Sequence, residues 1–461
     1  MRNAFSILLV VTFGSALVAE GATPNFVYIM VDDMGPADAG FMGSQAISTP
    51  NLDRLAAQSL HFTEAYSGCT VCAPCRSVLI TGKHMGQTSV RLNTGGVPLL
   101  DEDVTIAEIL KQAGYRTGGF GKWGLGDIGT SGVPERQGFD VFYGYYHQIH
   151  AHNHYPDFLV RNGEKEPITD SEPNTARGYA PALIFAEMKE FIRASVAADE
   201  PFFCYAPWTP PHGGYEFPRS DPAWTLYKDN GWRGNQRGHA AMVTLIDRYV
   251  GETLQLLSEL GVLDDTVVVF HSDNGASLAP RSSPDLNSSG PFRGHKRSPY
   301  EGGVRAPTLV YWKGQIEPGK NTTHIISAQD AMPTLAELAG ATQHLPPDIT
   351  GLSYAPVLFG REAPKTHDFH YWEWAAWDWG RHTEVPGGLM QGLRQQNWKI
   401  ARQRNDQPWE LYDLATDVGE TNDLADEHPD KVRELATLAE KARVPMRPQQ
   451  EPAHADGQTF N

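Results

Sequence analysis

The chain has 461 residues, enough to bury a large core in one domain with an appendage or in two domains. It is 40% hydrophobic and 20% charged with a formal net charge of −17, which excludes a general nucleic-acid binder and disfavours unassisted attachment to anionic surfaces. An anionic substrate therefore needs a local cationic pocket, and four cysteines, three of them crowded into seven residues, do not make a disulfide scaffold.

The chain opens with Met1-Arg2-Asn3, an apolar run over residues 5–18 and the small residues Ala19-Glu20-Gly21-Ala22. That order describes a secretory signal peptide over residues 1–21, with an uncleaved anchor as the alternative. The run is short for a membrane span and no second one follows, so a secreted or periplasmic protein without stable membrane insertion is expected.

Asn25 to Val31 is an unbroken apolar run, the pattern of a strand buried on both faces, and it stops at Asp32-Asp33-Met34-Gly35. Thr49-Pro50-Asn51 reads as N-cap and first position of a helix. In Cys69-Thr70-Val71-Cys72-Ala73-Pro74-Cys75-Arg76, Pro74 suits the first turn of a helix. Cys72 then sits just outside the helix N-terminus, near unpaired N–H groups, with Arg76 one turn on. Such a place holds an anion or activates a nucleophile. The plain alternative is a local disulfide or buried thiol, and a zinc knuckle lacks its second close pair.

Thr105-Ile106-Ala107-Glu108 is a capping box whose helix Gly114 stops, and residues 115–120 read as a strand leading into Gly121-Lys122-Trp123. Residues 201–206 form another buried strand entering Pro210-Pro211-His212. An amphipathic helix with Met242, Leu245, Ile246, Tyr249, Thr253, Leu256 and Leu260 ends at Gly261. The strand at 266–271 runs into Ser272-Asp273-Asn274-Gly275, and residues 306–312 form one more. Alternating strands and helices predict an α/β fold with a large, mostly parallel central sheet between helices. After residue 360 aromatic and polar residues alternate (Trp372, Trp374, Trp377, Trp379), and a polar helix runs over 429–443. The expected organisation is a catalytic domain over 22–360, a C-terminal α+β subdomain over 361–444 and a tail over 445–461.

Two strands end in acidic or amide pairs, Asp32-Asp33 and Asp273-Asn274. Ligands gather at the carboxyl ends of strands in open α/β sheets, so the pairs are placed to converge on an all-oxygen site for Ca²⁺ or Mg²⁺. Helix capping explains either pair taken alone.

The spacing Cys72-x-Pro74-x-Arg76-x-x-x-x-Thr81-Gly82 resembles the signature of the type I, formylglycine-dependent sulfatases, arylsulfatase-like members of the alkaline phosphatase superfamily. Gly121-Lys122-Trp123, Pro211-His212, Gly294-His295-Lys296-Arg297, Glu301-Gly302-Gly303-Val304-Arg305, residues 348–353 and Glu410-Leu411-Tyr412-Asp413-Leu414 resemble further landmarks, in order, from about residue 25 to 425. The resemblance implies an alkaline phosphatase-like fold and hydrolysis of O-sulfate esters, on a sulfated carbohydrate or an aryl sulfate. It implies that Asp32, Asp33, Asp273 and Asn274 hold one calcium ion. Cys72, converted to formylglycine by a formylglycine-generating enzyme, would present its hydrate to that ion. It implies that Arg76 supports the hydrate and carboxylates, and that Lys122, Lys296 and His212 contact the sulfate or leaving oxygen. A phosphate mono- or diesterase of the same superfamily, or a non-catalytic sulfated-glycan binder, are the alternative functions.

Three features depart from that pattern. Gly124 stands where the family commonly has histidine, leaving His150, His152 and His154 as nearby candidate bases. Cys75 precedes Arg76 where a small residue is usual, and Cys69 and Cys75 flank the site as possible disulfide partners. The sequons at Asn287 and Asn321 matter only where exported proteins are glycosylated. The tryptophan-rich run reads either as a stacking platform for sugar rings or as packing between the two parts of the chain.

Overall fold

Asn25–Val31, with all seven residues buried, lies near the middle of a sheet that has core on both of its faces there. The computed structural model describes residues 23–95, 97–277, 286–378 and 383–446, without the side chains of residues 377, 378, 383 and 384. The expected leader over 1–21, Trp379, the side chain of Trp377 and the tail from 447 lie outside the described residues.

Among the described residues the sheet has ten strands. In spatial order they are Lys320–Thr322, Leu60–Phe62, Thr308–Tyr311, Thr266–Ser272, Asn25–Val31, Phe202–Trp208, Arg116–Lys122, Val141–Tyr145, Phe158–Arg161 and Glu164–Pro167. The five from Thr266–Ser272 to Val141–Tyr145 are mutually parallel. Thr308–Tyr311 and Phe158–Arg161 run antiparallel to them at the flanks, and Glu164–Pro167 returns along Phe158–Arg161 as a hairpin.

The two-residue period of a strand divides the central run between two cores. Phe26, Tyr28 and Met30 pack under the helices Cys72–Thr81, Ile106–Gln112 and Ala331–Leu338. Val27, Ile29 and Val31 pack under Ala180–Ala197 and Gly234–Glu259. Each fully buried Val or Ile contributes about 1.5–3 kcal/mol relative to exposure. This is a mixed α/β fold with a mostly parallel central sheet.

The capping box at Thr105 forms, with Glu108 N donating to Thr105 Oγ1 at 3.2 Å. Thr49 is the N-cap residue and Pro50 opens the helix as expected, but the Thr49 side chain makes no cap bond: Asp247 Oδ1 accepts the Asn51 and Leu52 N–H groups at 2.7 Å each, and Thr49 Oγ1 accepts from Gly40 N instead.

A second, antiparallel sheet contains His370–Asp378, Thr383–Gln395, Trp398–Arg402 and Glu410–Asp413, backed by the helix Pro429–Ala442. It is fixed to the segment before Cys72. Trp372 Nε1 donates to Ser67 O at 2.9 Å, and Cys69 Sγ donates to Glu373 O at 3.3 Å. Beside them, Lys399 bridges Glu301 at 2.8 Å and Glu420 at 2.9 Å with all three side chains buried. Trp372 is 1% exposed, so at that position packing between the two sheets holds and the sugar platform does not.

Candidate active site

Parallel strands deliver their carboxyl ends to one edge, and the residues singled out above follow directly there. Asp32-Asp33 leave Asn25–Val31, Asp273-Asn274 leave Thr266–Ser272, His212 follows Phe202–Trp208, and Lys122 closes Arg116–Lys122. The helix Cys72–Thr81 points its N-terminus at the same edge. Cys72 is the first helical residue rather than the one before it, with Val71 as N-cap. Pro74 is tolerated in the third position because the first four N–H groups have no acceptor within the helix. Asn93 Oδ1 serves one of them, Ala73 N, at 2.9 Å. At the other end Gly82 O accepts from Thr350 N and Gly351 N at 3.0 Å, which ties residues 348–353 to the motif.

Lys296 comes from an irregular segment hung on the Asp273 strand. Gly275 N donates to Gly303 O at 3.1 Å and Lys296 N to Ala276 O at 3.0 Å. A methyl group on Gly275 would lie 1.9 Å from Gly302 O, so only glycine lets the two segments approach and brings Lys296 in.

The geometry is tight. Cys72 Sγ donates to Asp32 Oδ1 at 3.1 Å and accepts from Lys296 Nζ at 3.2 Å. Lys122 Nζ lies 2.6 Å from Asp32 Oδ2, and Lys296 Nζ 2.5 Å from Asp33 Oδ1. Arg76 bonds Asp273 Oδ2 at 2.9 Å, lies 3.4 Å from Asp32 and donates to Lys122 O at 2.7 Å. Asp33, held at φ +69°, donates its N–H to Asp273 Oδ1 at 3.2 Å and accepts from Asn274 Nδ2 at 2.8 Å. His212 Nε2 stands 3.6 Å from Asp33 Oδ2, and its Nδ1 faces Gly213 O at 3.1 Å. All nine positions singled out in the sequence therefore meet in one place.

Burial would raise the Asp32 carboxyl, but the charges of Lys122, Arg76 and Lys296 hold it well below its ordinary value. Asp273 is pushed up to about 7 by burial and the Asp32 charge. Burial, then Lys296, drives His212 well below an ordinary histidine, so its imidazole is neutral. Burial and Asp32 push the Cys72 thiol up to about 12. A thiol so raised is a poor nucleophile near neutrality.

Ligand atoms of Asp32, Asp33, Cys72 and His212 all lie within 4.8 Å of one another. Asn274 Oδ1 is buried and has no hydrogen-bond partner among the described residues. Carboxylate oxygens with one orphaned amide oxygen fit a hard divalent cation.

Of the candidate bases, His152 stacks on His212 with ring centroids 4.1 Å apart, and His154 Nε2 contacts His212 O at 3.2 Å. His150 packs instead on Phe158 and Tyr145. All four cysteines are free and buried, and Cys75 Sγ accepts from Gly68 N. Sequence reasoning passed over Asn93, which carries no motif, and Gln148, whose histidine neighbours drew attention from it.

A family model described as Sulfatase matches residues 24–341, and a second, N-sulphoglucosamine sulphohydrolase C-terminal, matches residues 292–443. Human arylsulfatase A is 33% identical over 400 residues, covering 79% of this chain and 73% of the relative. N-acetylgalactosamine-6-sulfatase of Canis lupus familiaris is 32% identical over 395 residues, covering 79% and 72%. The crystal structure of Ps i-CgsB in complex with k-i-k-neocarrahexaose superposes with a TM-score of 0.78 at 28% identity, covering 94% of each chain. The chain belongs to the sulfatase family and is a sulfuric ester hydrolase.

Proposed function

We propose that this protein is an exported, calcium-dependent sulfatase that removes O-sulfate from a carbohydrate, using a formylglycine made from Cys72. The observation that carries the reading is the environment of Cys72 Sγ, 3.1 Å from Asp32 and 3.2 Å from Lys296, with its pKa pushed up to about 12. As a thiol it is inert there; as an aldehyde hydrate it would supply the nucleophile, and a cation at this site would supply Lewis-acid chemistry, acidifying the hydrate and offsetting charge on the sulfuryl oxygens. Asp32, Asp33, Asp273 and Asn274 would hold that cation. The carbohydrate assignment is supported by the sugar named for the canine relative and the neocarrahexaose bound to the solved one. Export is supported by the leader at 1–21, and maturation by a formylglycine-generating enzyme by the Cys72–Gly82 spacing. The separate antiparallel sheet supports the division into 22–360 and 361–444.

Each side chain has work suited to its position. Lys122 and Lys296 bring two ammonium groups to the Cys72 end of the site and stabilise negative charge on the sulfuryl oxygens in the transition state. Arg76 holds Asp32 and Asp273 in register from one helical turn away. His212, with Nδ1 on a carbonyl, turns Nε2 to the cleft. Burial, then Lys296, depresses His212; an entering sulfate monoester offsets the lysine part, and once protonated the imidazole is placed to deliver its Nε2 proton to the leaving oxygen. The test is peptide mass spectrometry at Cys72 on calcium-loaded protein, followed by assay against sulfated sugars, aryl sulfates and phosphate esters. An aldehyde with sulfate-ester turnover is expected; an aldehyde-bearing, metal-loaded protein inert to every sulfated sugar would refute the carbohydrate assignment.

A further inference from the structure

Gly124 extends the pairing beyond Lys122, its N–H reaching Tyr146 O at 3.0 Å, and it adopts φ +77°. A methyl group placed on it would meet Gln148 Oε1 at 2.7 Å and lie 3.7 Å from Cβ of Ala73, the neighbour of Cys72. Position 124 carries no side chain, and Gln148 takes up the space. Gln148 is fully buried, yet neither Nε2 nor Oε1 has a hydrogen-bond partner among the described residues. A buried primary amide with both ends unmet is costly, and a fold keeps one where something else completes it.

Its two ends ask for different partners, because one donates and the other accepts whichever way the amide is turned. A sulfuryl oxygen only accepts and satisfies one end. A geminal diol offers a hydroxyl to each. We propose that Gln148 is a catalytic residue whose side-chain amide binds both hydroxyls of the formylglycine hydrate at position 72, an inference that rests on the reading of Cys72 given above. The amide does not titrate near neutrality, so it orients the hydrate and favours it over the free aldehyde, and takes no proton.

Gln148→Leu keeps the approximate volume and removes both polar ends; because no protein bond is lost, the variant should unfold at or above the wild-type temperature. Aldehyde content at position 72 is measured first, by peptide mass spectrometry. The native proteins are then treated with an aminooxy probe, which reacts with the aldehyde and not with its hydrate. Gln148→Leu is expected to label about 10-fold faster and to lose about 10- to 100-fold in kcat with little change in KM. Gln148→Asn, which keeps the amide one methylene shorter, should fall between and decides the matter if the leucine variant does not fold. Aldehyde-bearing variants that label and turn over within about twofold of wild type overturn the proposal alone. An unmodified thiol at Cys72 in the wild type from a maturing host overturns both this and the formylglycine reading.

Discussion

Replacing Lys296 by alanine removes a positive charge in direct contact with Cys72. Its Nζ lies 3.2 Å from Cys72 Sγ, so a sulfuryl oxygen bound at Cys72 falls about 4 Å away, where a unit charge pair is worth about 4 kcal/mol at an effective dielectric of 20. Only the part that grows in the transition state accelerates the reaction. Loss of one such preorganised group costs about 10²–10³ in kcat, or about 2.7–4 kcal/mol. Asp33 keeps the Asn274 amide at 2.8 Å and His212 at 3.6 Å, so the fold should survive. Losing Lys296 also relieves part of the downward push on His212, whose pKa should rise. The assay is kcat and KM on an aryl sulfate, normalised to aldehyde content, with thermal unfolding as a control. Lys296→Arg should rescue little, since a planar fork does not reproduce a compact ammonium. A folded, aldehyde-bearing Lys296→Ala with kcat within about threefold of wild type would mean that the sulfuryl group sits elsewhere.

Exhaustive chelation should abolish turnover and lower the unfolding temperature, with both restored by calcium; metal-free protein, shown so by elemental analysis and still fully active, would sink the cation assignment. Lys399→Met leaves Glu301 and Glu420 buried without their shared cation and should cost about 3–5 kcal/mol in a denaturant titration, partly recovered by adding Glu420→Gln. His367 is pulled down by burial but raised overall by Asp330, 2.7 Å away. A raised histidine gives stability that is complete below its unfolded pKa of about 6.5 and lost as pH climbs through the folded value. The unfolding temperature should therefore decline above that pH, and His367→Gln should flatten the decline; an unchanged pH profile in the variant would exclude this pair as its source.

The acidic pairs could be read from the chain because the apolar run from Phe26 to Val31 has the pattern of a strand buried on both faces, and Asp32-Asp33 ends it abruptly. Parallel pairing then carries Asp273, 240 residues away, to the same edge. What stayed hidden depends on long-range partners. The Asp247 carboxylate that caps Asn51 is 196 residues distant, and the local Thr49-Pro50 signal points to the wrong oxygen. The start of the Cys72 helix was misplaced because proline is equally comfortable at several first-turn positions. Thr308–Tyr311 has the same apolar pattern as its parallel neighbours, and only its register reveals the opposite direction. Gln148 has no periodicity and no motif; its importance comes from the space above Gly124.

The burial of Cys72 has a consequence for timing. The residue is wholly shielded, and the groups that shield it are made late: Lys296 follows it by 224 residues, and Glu373, against Cys69, follows later still. At 5–20 residues per second, about 11–45 s of synthesis separates Cys72 from Lys296. On the formylglycine reading proposed above, an enzyme that oxidises Cys72 would have to reach it before the later strands close over it. The yield of active protein would then be a race between modification and folding, and a change that hastens folding would lower activity without touching the site.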